Sequence, residues 1–263
     1  MPTAPTLTVT KAEPNIGARI DGVDLRAIGD DTGDATISRL RELLLEHHVV
    51  VLPGQDVSAL ELEAFASKWG ELLEHPATRH HDTPYIQWIA ASGTRGGQFG
   101  TWHSDMTWHP TPPSITMLHA RKLPDAGGDT AFVNQHLAYE TLPEQLRETL
   151  DGTDAFHSGK VFGPETPDSV HPAIRTHPES GRKALYVNAA FTRSLVDLDP
   201  EVSKSVMAKT LLHATRVEFM YRHRWDLHDL VIWDNRSVMH CPSFDYEGER
   251  FMHRAVVSGG VPA

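Results

Sequence analysis

Trp102-His103-Ser104-Asp105 decides how this sequence is read. In an extended segment His103 and Asp105 point to the same face, where a ring nitrogen and a carboxylate oxygen grip one ion from one side. A chain with 17 histidines carries such pairs by chance, and alone this one reads as a surface turn. A third residue changes the reading: His240, in Trp233-Asp234-Asn235-Arg236-Ser237-Val238-Met239-His240. Two histidines and one carboxylate on one side of a metal leave its other side open, the donor set of Fe(II) centres that bind oxygen.

That spacing suits a barrel, with His103 and Asp105 on an early strand and His240 at the end of a late one. The rest of the chain agrees. Residues 6 to 25 read as short strands broken by turns, and Ile37, Leu40, Leu44 and His47 form one helical stripe with Leu43 beside it. Val49 to Leu52 is a buried strand closed by Pro53-Gly54. Ser58 caps a helix running to Trp69, with Glu61 completing a capping box and Gly70 ending it. Further strands are expected at Tyr85 to Ala90, Ser114 to Ala120, Thr130 to Val133, Ala184 to Val187, Val217 to Arg224, Leu230 to Trp233 and Phe251 to Val257. Gln135 to Leu150 reads as helical, with Pro143 starting a new helix, and Pro200 to Ala214 as a helix. Residues 151–182, rich in proline and glycine and without a clear period, read as a long loop or lid. Many short strands with scattered helices make a mainly β protein with flanking helices, a sandwich or jelly roll.

Composition sets limits. At 263 residues, 40 % of them hydrophobic and with no linker in view, the chain reads as one domain over 1–263. No run approaches the roughly 20 apolar residues of a membrane span. Met1-Pro2-Thr3-Ala4-Pro5 opens no secretory leader, and Cys241 is the only cysteine. A cytoplasmic protein is expected. A net charge of −11 excludes a sequence-independent grip on nucleic acid, so any anionic ligand needs a local basic pocket. Arg250 and Arg254 offer one, because residues four apart in a strand share a face and a guanidinium binds carboxylates through a two-pronged fork.

Four segments together resemble one family. They are Trp102 to Asp105, Gly127-Gly128-Asp129-Thr130, Trp233 through His240, and Arg250 to Arg254. From about Ile16 to Gly259 the chain is similar to the taurine dioxygenase and 2,4-dichlorophenoxyacetate dioxygenase family of Fe(II)- and 2-oxoglutarate-dependent oxygenases. The resemblance implies a double-stranded β-helix, Fe(II) held by His103, Asp105 and His240, and 2-oxoglutarate and O2 as cosubstrates. It implies that Thr130 and Arg250 bind the distal carboxylate of 2-oxoglutarate. It places Arg254 where the taurine branch binds the substrate sulfonate, His75 at a substrate-side histidine and Phe191 at an aromatic wall. Thr78 and Phe99 stand where the taurine branch carries a tyrosine and an asparagine, so both substrate contacts differ.

The resulting expectation is a dioxygenase hydroxylating a small organic anion: a sulfonate, a sulfate ester or an aryloxyalkanoate. Alternatives are a taurine dioxygenase proper, a jelly-roll Zn or Mn enzyme of hydrolase or isomerase type, and a binding module that kept the fold. A homo-oligomer with a small organic acid as substrate, and no nucleic-acid or membrane partner, completes the expectation.

Overall fold

The computed structural model describes residues 7–28, 31–74, 80–93 and 100–263, without the side chains of 31–34 and 93. The chain opens with strands β1 (Thr8–Lys11) and β2 (Ala18–Asp21), helix α1 (Asp31–His47), β3 (Val49–Leu52) and α2 (Ala59–Ser67). Then come β4 (Gln87–Gly93), β5 (Ile115–Lys122), β6 (Thr130–Asn134), α3 (Gln135–Glu140) and α4 (Glu144–Leu150). Strands β7 (Asp154–Ser158), β8 (Asp168–Pro172), β9 (Ile174–Thr176), β10 (Lys183–Leu185) and β11 (Thr192–Leu195) precede α5 (Pro200–Ala214). The last four strands are β12 (Met220–His223), β13 (Leu230–Asp234), β14 (Val238–Pro242) and β15 (Gly248–Val257).

Seven strands form the major sheet in the order β1-β2-β3-β13-β5-β15-β4, and β12-β6-β14 form a smaller one. Strand alternation sorts the side chains of these sheets. Val50, Leu52, Met117, Leu230, Ile232 and Ala255 pack outward with Leu40 and Leu44 of α1 and Leu62 and Phe65 of α2. Val49, Val51, Leu118, Val231, Trp233 and Met252 pack inward with Phe132 of β6 and Val238 of β14. Both faces of β3 and β13 are covered, which is why they read as unbroken apolar runs. The same parity turns Thr116, Thr130, His240, Arg250 and Arg254 toward the space between the two sheets. A third apolar cluster joins the back of the small sheet, through Val133 and Met239, to Ala138 of α3, Leu150 of α4 and Ala214 of α5.

Local signals hold where side chains act alone. The Ser58 hydroxyl accepts from the Glu61 N–H at 3.2 Å, and the Glu61 carboxylate accepts from the Ser58 N–H at 2.7 Å. Pro143 separates α3 from α4, and Pro200 opens α5.

Three expectations are corrected. Residues 151–182 are not structureless, since β7, β8 and β9 lie there, with β8 and β11 flanking β7. Their period was masked because inward positions carry His157 and His171, packed on Tyr186, instead of aliphatic residues. The Trp102–Asp105 stretch is not a strand: His103 makes one isolated bridge to His240, after which the chain turns with Met106 at φ 49°. His240 is the central residue of β14 and not a strand end, because the polar Asp234 marks a turn between β13 and β14. Smaller shifts occur at β4, which starts at Gln87, and at Val217–Phe219, which forms a 3-10 turn.

Candidate active site

His103 and His240 are joined through their backbones. The His103 N–H donates to the His240 carbonyl at 3.0 Å, and the His240 N–H returns to the His103 carbonyl at 2.7 Å. The two rings then lie 4.1 Å apart. The turn after His103 brings Asp105 beneath them, with Oδ1 3.8 Å from each Nε2. The ligand atoms of the three side chains all fall within 4.8 Å of one another. His103 Nδ1 donates to the Thr101 carbonyl at 2.8 Å, which leaves its Nε2 lone pair facing the other two groups. Burial, with His103 and Arg254 nearby, pushes the His240 pKa down to about 3, so its ring is a neutral donor. Burial alone would push the Asp105 carboxyl up. Arg254, His240, His103 and a bond from Thr116 outweigh it and hold Asp105 well below the usual carboxylate range.

Behind Asp105 a chain of hydrogen bonds fixes which oxygen faces the histidines. Thr116 Oγ1 donates to Asp105 Oδ2 at 2.7 Å and accepts from Asn235 Nδ2 at 2.7 Å. Asn235 Oδ1 accepts from Trp233 Nε1 at 3.0 Å and from the Asp105 N–H at 3.3 Å. The β13–β14 turn that carries Asn235 is itself pinned. Arg236 forks onto Asp234 at 2.8 and 2.7 Å and reaches Glu179 at 2.5 Å, while His177 lies 3.0 Å from Asp234. Partners that orient a metal ligand in this way tune its affinity.

The same cavity, of about 200 Å³, is lined by His103, Asp105, His240, Thr130, Arg250 and Arg254 among others. Arg250 is 8 % exposed, and its Nε and Nη2 are buried without an acceptor. Its guanidinium lies 5.4 Å from the Trp225 ring, and burial pulls its pKa down. Thr130 Oγ1 accepts from Trp225 Nε1 at 3.1 Å, which keeps its own hydrogen available. The Tyr246 hydroxyl is buried and unpartnered on the same wall. Gly128, at φ 75°, lets the backbone approach: a Cβ there would meet Arg250 Cδ and Tyr246 Cδ1, both at 3.3 Å. An unpaired buried guanidinium beside a hydroxyl is a receptor for a carboxylate.

Arg254 also enters the cavity, and its nearest charge is a metal-ligand candidate. Its Nη2 sits 2.7 Å from Asp105 Oδ2, and Nη1 donates to Gln87 Oε1 at 3.3 Å. Phe191 is buried edge-on to His103 at 5.9 Å, and the Phe162 ring lies 5.9 Å from it. His75, Thr78 and Phe99 lie outside the described residues. The geometry therefore brings together His103, Asp105, His240, Thr130, Arg250, Arg254 and Phe191. Sequence reasoning gave no role to Thr116, Asn235, Trp225, Tyr246 or Gln87. Asn235 stood inside a quoted motif, whereas Thr116, Gln87 and Tyr246 carried no local signal. Two neutral-capable imidazoles and an ionised carboxylate oxygen fit a divalent first-row metal bound on one side, and the orphaned Arg250 fits a dicarboxylate next to it.

Comparison with known proteins gives the same direction. Residues 8–256 match the family described as taurine catabolism dioxygenase TauD, TfdA family. An alpha-ketoglutarate-dependent sulfate ester dioxygenase of Pseudomonas putida is 32 % identical, covering 99 % of this chain and 92 % of its own. An alpha-ketoglutarate-dependent 2,4-dichlorophenoxyacetate dioxygenase of Burkholderia sp. (strain RASC) is 36 % identical over 90 % of each chain. The crystal structure of a taurine dioxygenase from Burkholderia xenovorans superposes with a TM-score of 0.87 at 34 % identity, over 98 % of this chain and 91 % of that one. The chain belongs to the TauD, TfdA family and is an enzyme of its 2-oxoglutarate-dependent dioxygenase class.

Proposed function

We propose that this family member is a single-domain jelly-roll (double-stranded β-helix) enzyme that uses Fe(II), 2-oxoglutarate and O2 to hydroxylate a small organic anion with an apolar body. Alkyl or aryl sulfonates, sulfate esters and aryloxyalkanoates are the substrate class. The observation that carries the reading is a single cavity in which the His103, Asp105 and His240 cluster faces the unpartnered Arg250 guanidinium. The sulfate ester and phenoxyacetate names of its relatives point to the same anions.

Fe(II) bound with 2-oxoglutarate supplies oxygen activation, coupling loss of CO2 from the cosubstrate, which leaves succinate, to hydroxylation of a substrate carbon. The chain's own residues do the positioning. His103 and His240 present Nε2, and Asp105 presents Oδ1 while Thr116 holds its other oxygen. Arg250 forks onto the distal carboxylate of 2-oxoglutarate, and the Thr130 hydroxyl donates beside it. Arg254 keeps N–H groups beyond those facing Asp105 and Gln87, and these take the acidic end of the substrate. Phe191 walls the apolar body and excludes water, which strengthens each polar contact, and the family resemblance assigns a donor role to His75 and a substrate contact to Phe99. A hydroxylated carbon that already carries a sulfate or aryloxy oxygen then releases that group. With Cys241 as the sole cysteine, a reducing cytoplasm is the compartment this reading assigns. A Zn or Mn hydrolase would leave Arg250 and Thr130 without a task.

Succinate release across a panel of anions and neutral analogues tests this reading. Alkyl or aryl anions should outpace taurine, because Thr78 and Phe99 replace the polar residues of the taurine branch. A neutral compound that beats every anion, or taurine as the best substrate, would overturn it.

A further inference from the structure

A cavity of about 490 Å³ opens where β5 begins at Ile115 and β15 ends at Val257, and it shares no lining residue with the cavity around Asp105. Three arginines line it: Arg41, Arg175 and Arg236. Two of them are satisfied. Arg236 is bound by Asp234 and Glu179. Arg41 donates to the Trp69 carbonyl at 2.6 Å and lies 5.3 Å from the Trp69 ring.

Arg175 differs. It sits in β9, is 4 % exposed, and its Nε is buried with no acceptor. Its guanidinium rests 4.7 Å from the Tyr186 ring, and no carboxylate among the described residues forms an ion pair with it. An arginine does not discard its proton to escape burial. Taking its charge out of water without a counter-ion is costly. The ring face of Tyr186 offsets part of that cost, yet the Nε–H stays without an acceptor. Glu71 and Glu179 also line the recess and Arg236 is neutralised by its two carboxylates, so the charge left unanswered there belongs to Arg175 and, on the wall, to Arg41.

We propose that this cavity is a second binding site, anchored by the Arg175 guanidinium, for a small oxyanion. Arg41 supplies a second positive charge from the wall, and Arg175 supplies the charge-assisted contact through its unpartnered Nε–H. The site is separate from the one that binds 2-oxoglutarate.

Inorganic phosphate is the probe. It is titrated by calorimetry, at constant ionic strength, into the full chain carrying Arg250→Met, which removes the unpaired guanidinium of the other cavity. Phosphate should bind saturably at one site per chain. Adding Arg175→Met should weaken that binding by about tenfold or more, as expected for loss of a charge-assisted hydrogen bond. It should also abolish the rise in melting temperature that phosphate gives. No saturable binding to the Arg250→Met protein, or binding that Arg175→Met leaves unchanged, would refute the site. Should Arg175→Met fail to fold, Arg175→Lys keeps the charge, loses the Nε–H and is judged by the same titration.

Discussion

Replacing Thr116 with valine removes one oxygen and keeps the shape of a side chain that has no exposed surface. The lost hydroxyl donates to Asp105 Oδ2 at 2.7 Å and accepts from Asn235 Nδ2 at 2.7 Å. A hydrogen bond to a charged group contributes roughly 1.5–3 kcal/mol, and a buried amide left without its acceptor costs about 1–3 kcal/mol. Asp105 keeps Arg254 on the same oxygen, so the carboxylate stays ionised and what is lost is its orientation toward the histidines. Removing a partner of this kind typically lowers metal affinity or activity 10–100-fold, about 1.4–2.8 kcal/mol. Mn(II), stable in air, serves as the titrant. Thr116→Val should raise the metal Kd about 10–100-fold, while Thr116→Ser should restore it to near the native value. Affinity for 2-oxoglutarate in the metal-saturated protein rests on Arg250 and should change by less than about threefold. A native metal Kd in a Thr116→Val protein that has merely lost melting temperature would show that the network supports the fold and does not orient the ligand.

Asp105→Ala should abolish both metal binding and succinate formation while the far-ultraviolet circular dichroism stays native; persistent succinate would sink the ligand assignment. Arg250→Ala should raise the KM for 2-oxoglutarate about tenfold or more, from the loss of a charged hydrogen bond of roughly 1.5–3 kcal/mol; an unchanged KM would contradict it. Arg254→Ala should reduce kcat/KM for the anionic substrate more than it weakens 2-oxoglutarate binding, and equal losses would assign Arg254 to Asp105 alone. Burial lowers His48, His157 and His253 to about 3 and His119 and His136 to about 4, from 6.5. Because the unfolded chain takes up protons first as pH falls, this stabilisation is complete above pH 6.5 and is lost below it. A shift from 6.5 to about 4 is worth roughly 3 kcal/mol, and two or three such sites equal a typical stability of about 5–15 kcal/mol. Acid unfolding should therefore begin well above pH 4, and a flat denaturation midpoint between pH 6.5 and 5 would refute the argument.

What could be read from the sequence follows how local each cause is. Ser58 with Glu61 and Pro200 act within one turn, so the start of α2 and the whole of α5 were legible. The inward parity of Arg250 and Arg254 was legible because β15 is continuous across both. β7 and β8 escaped notice because buried histidines, held by hydrogen bonds, stand where aliphatic residues normally mark a strand. The support of Asp105 was hidden for another reason: Asn235 and Thr116 meet across 119 positions, and no pattern along one strand records a contact between two. The contact between Arg254 and Asp105 was hidden in the same way, because it exists only once β15 lies beside the turn after His103.

The bridge between His103 and His240 also says when the centre forms. Ser104 Oγ donates to the Val238 carbonyl 134 residues further on, in line with that bridge. Contacts of such sequence separation require a large loop to close first, and they tend to be late in folding. Backbone and hydroxyl groups make this closure without help from the ligand side chains, so the ion arrives at a pocket that already exists. Metal should then leave the refolding rate nearly untouched and slow unfolding, since it strengthens contacts absent from the transition state.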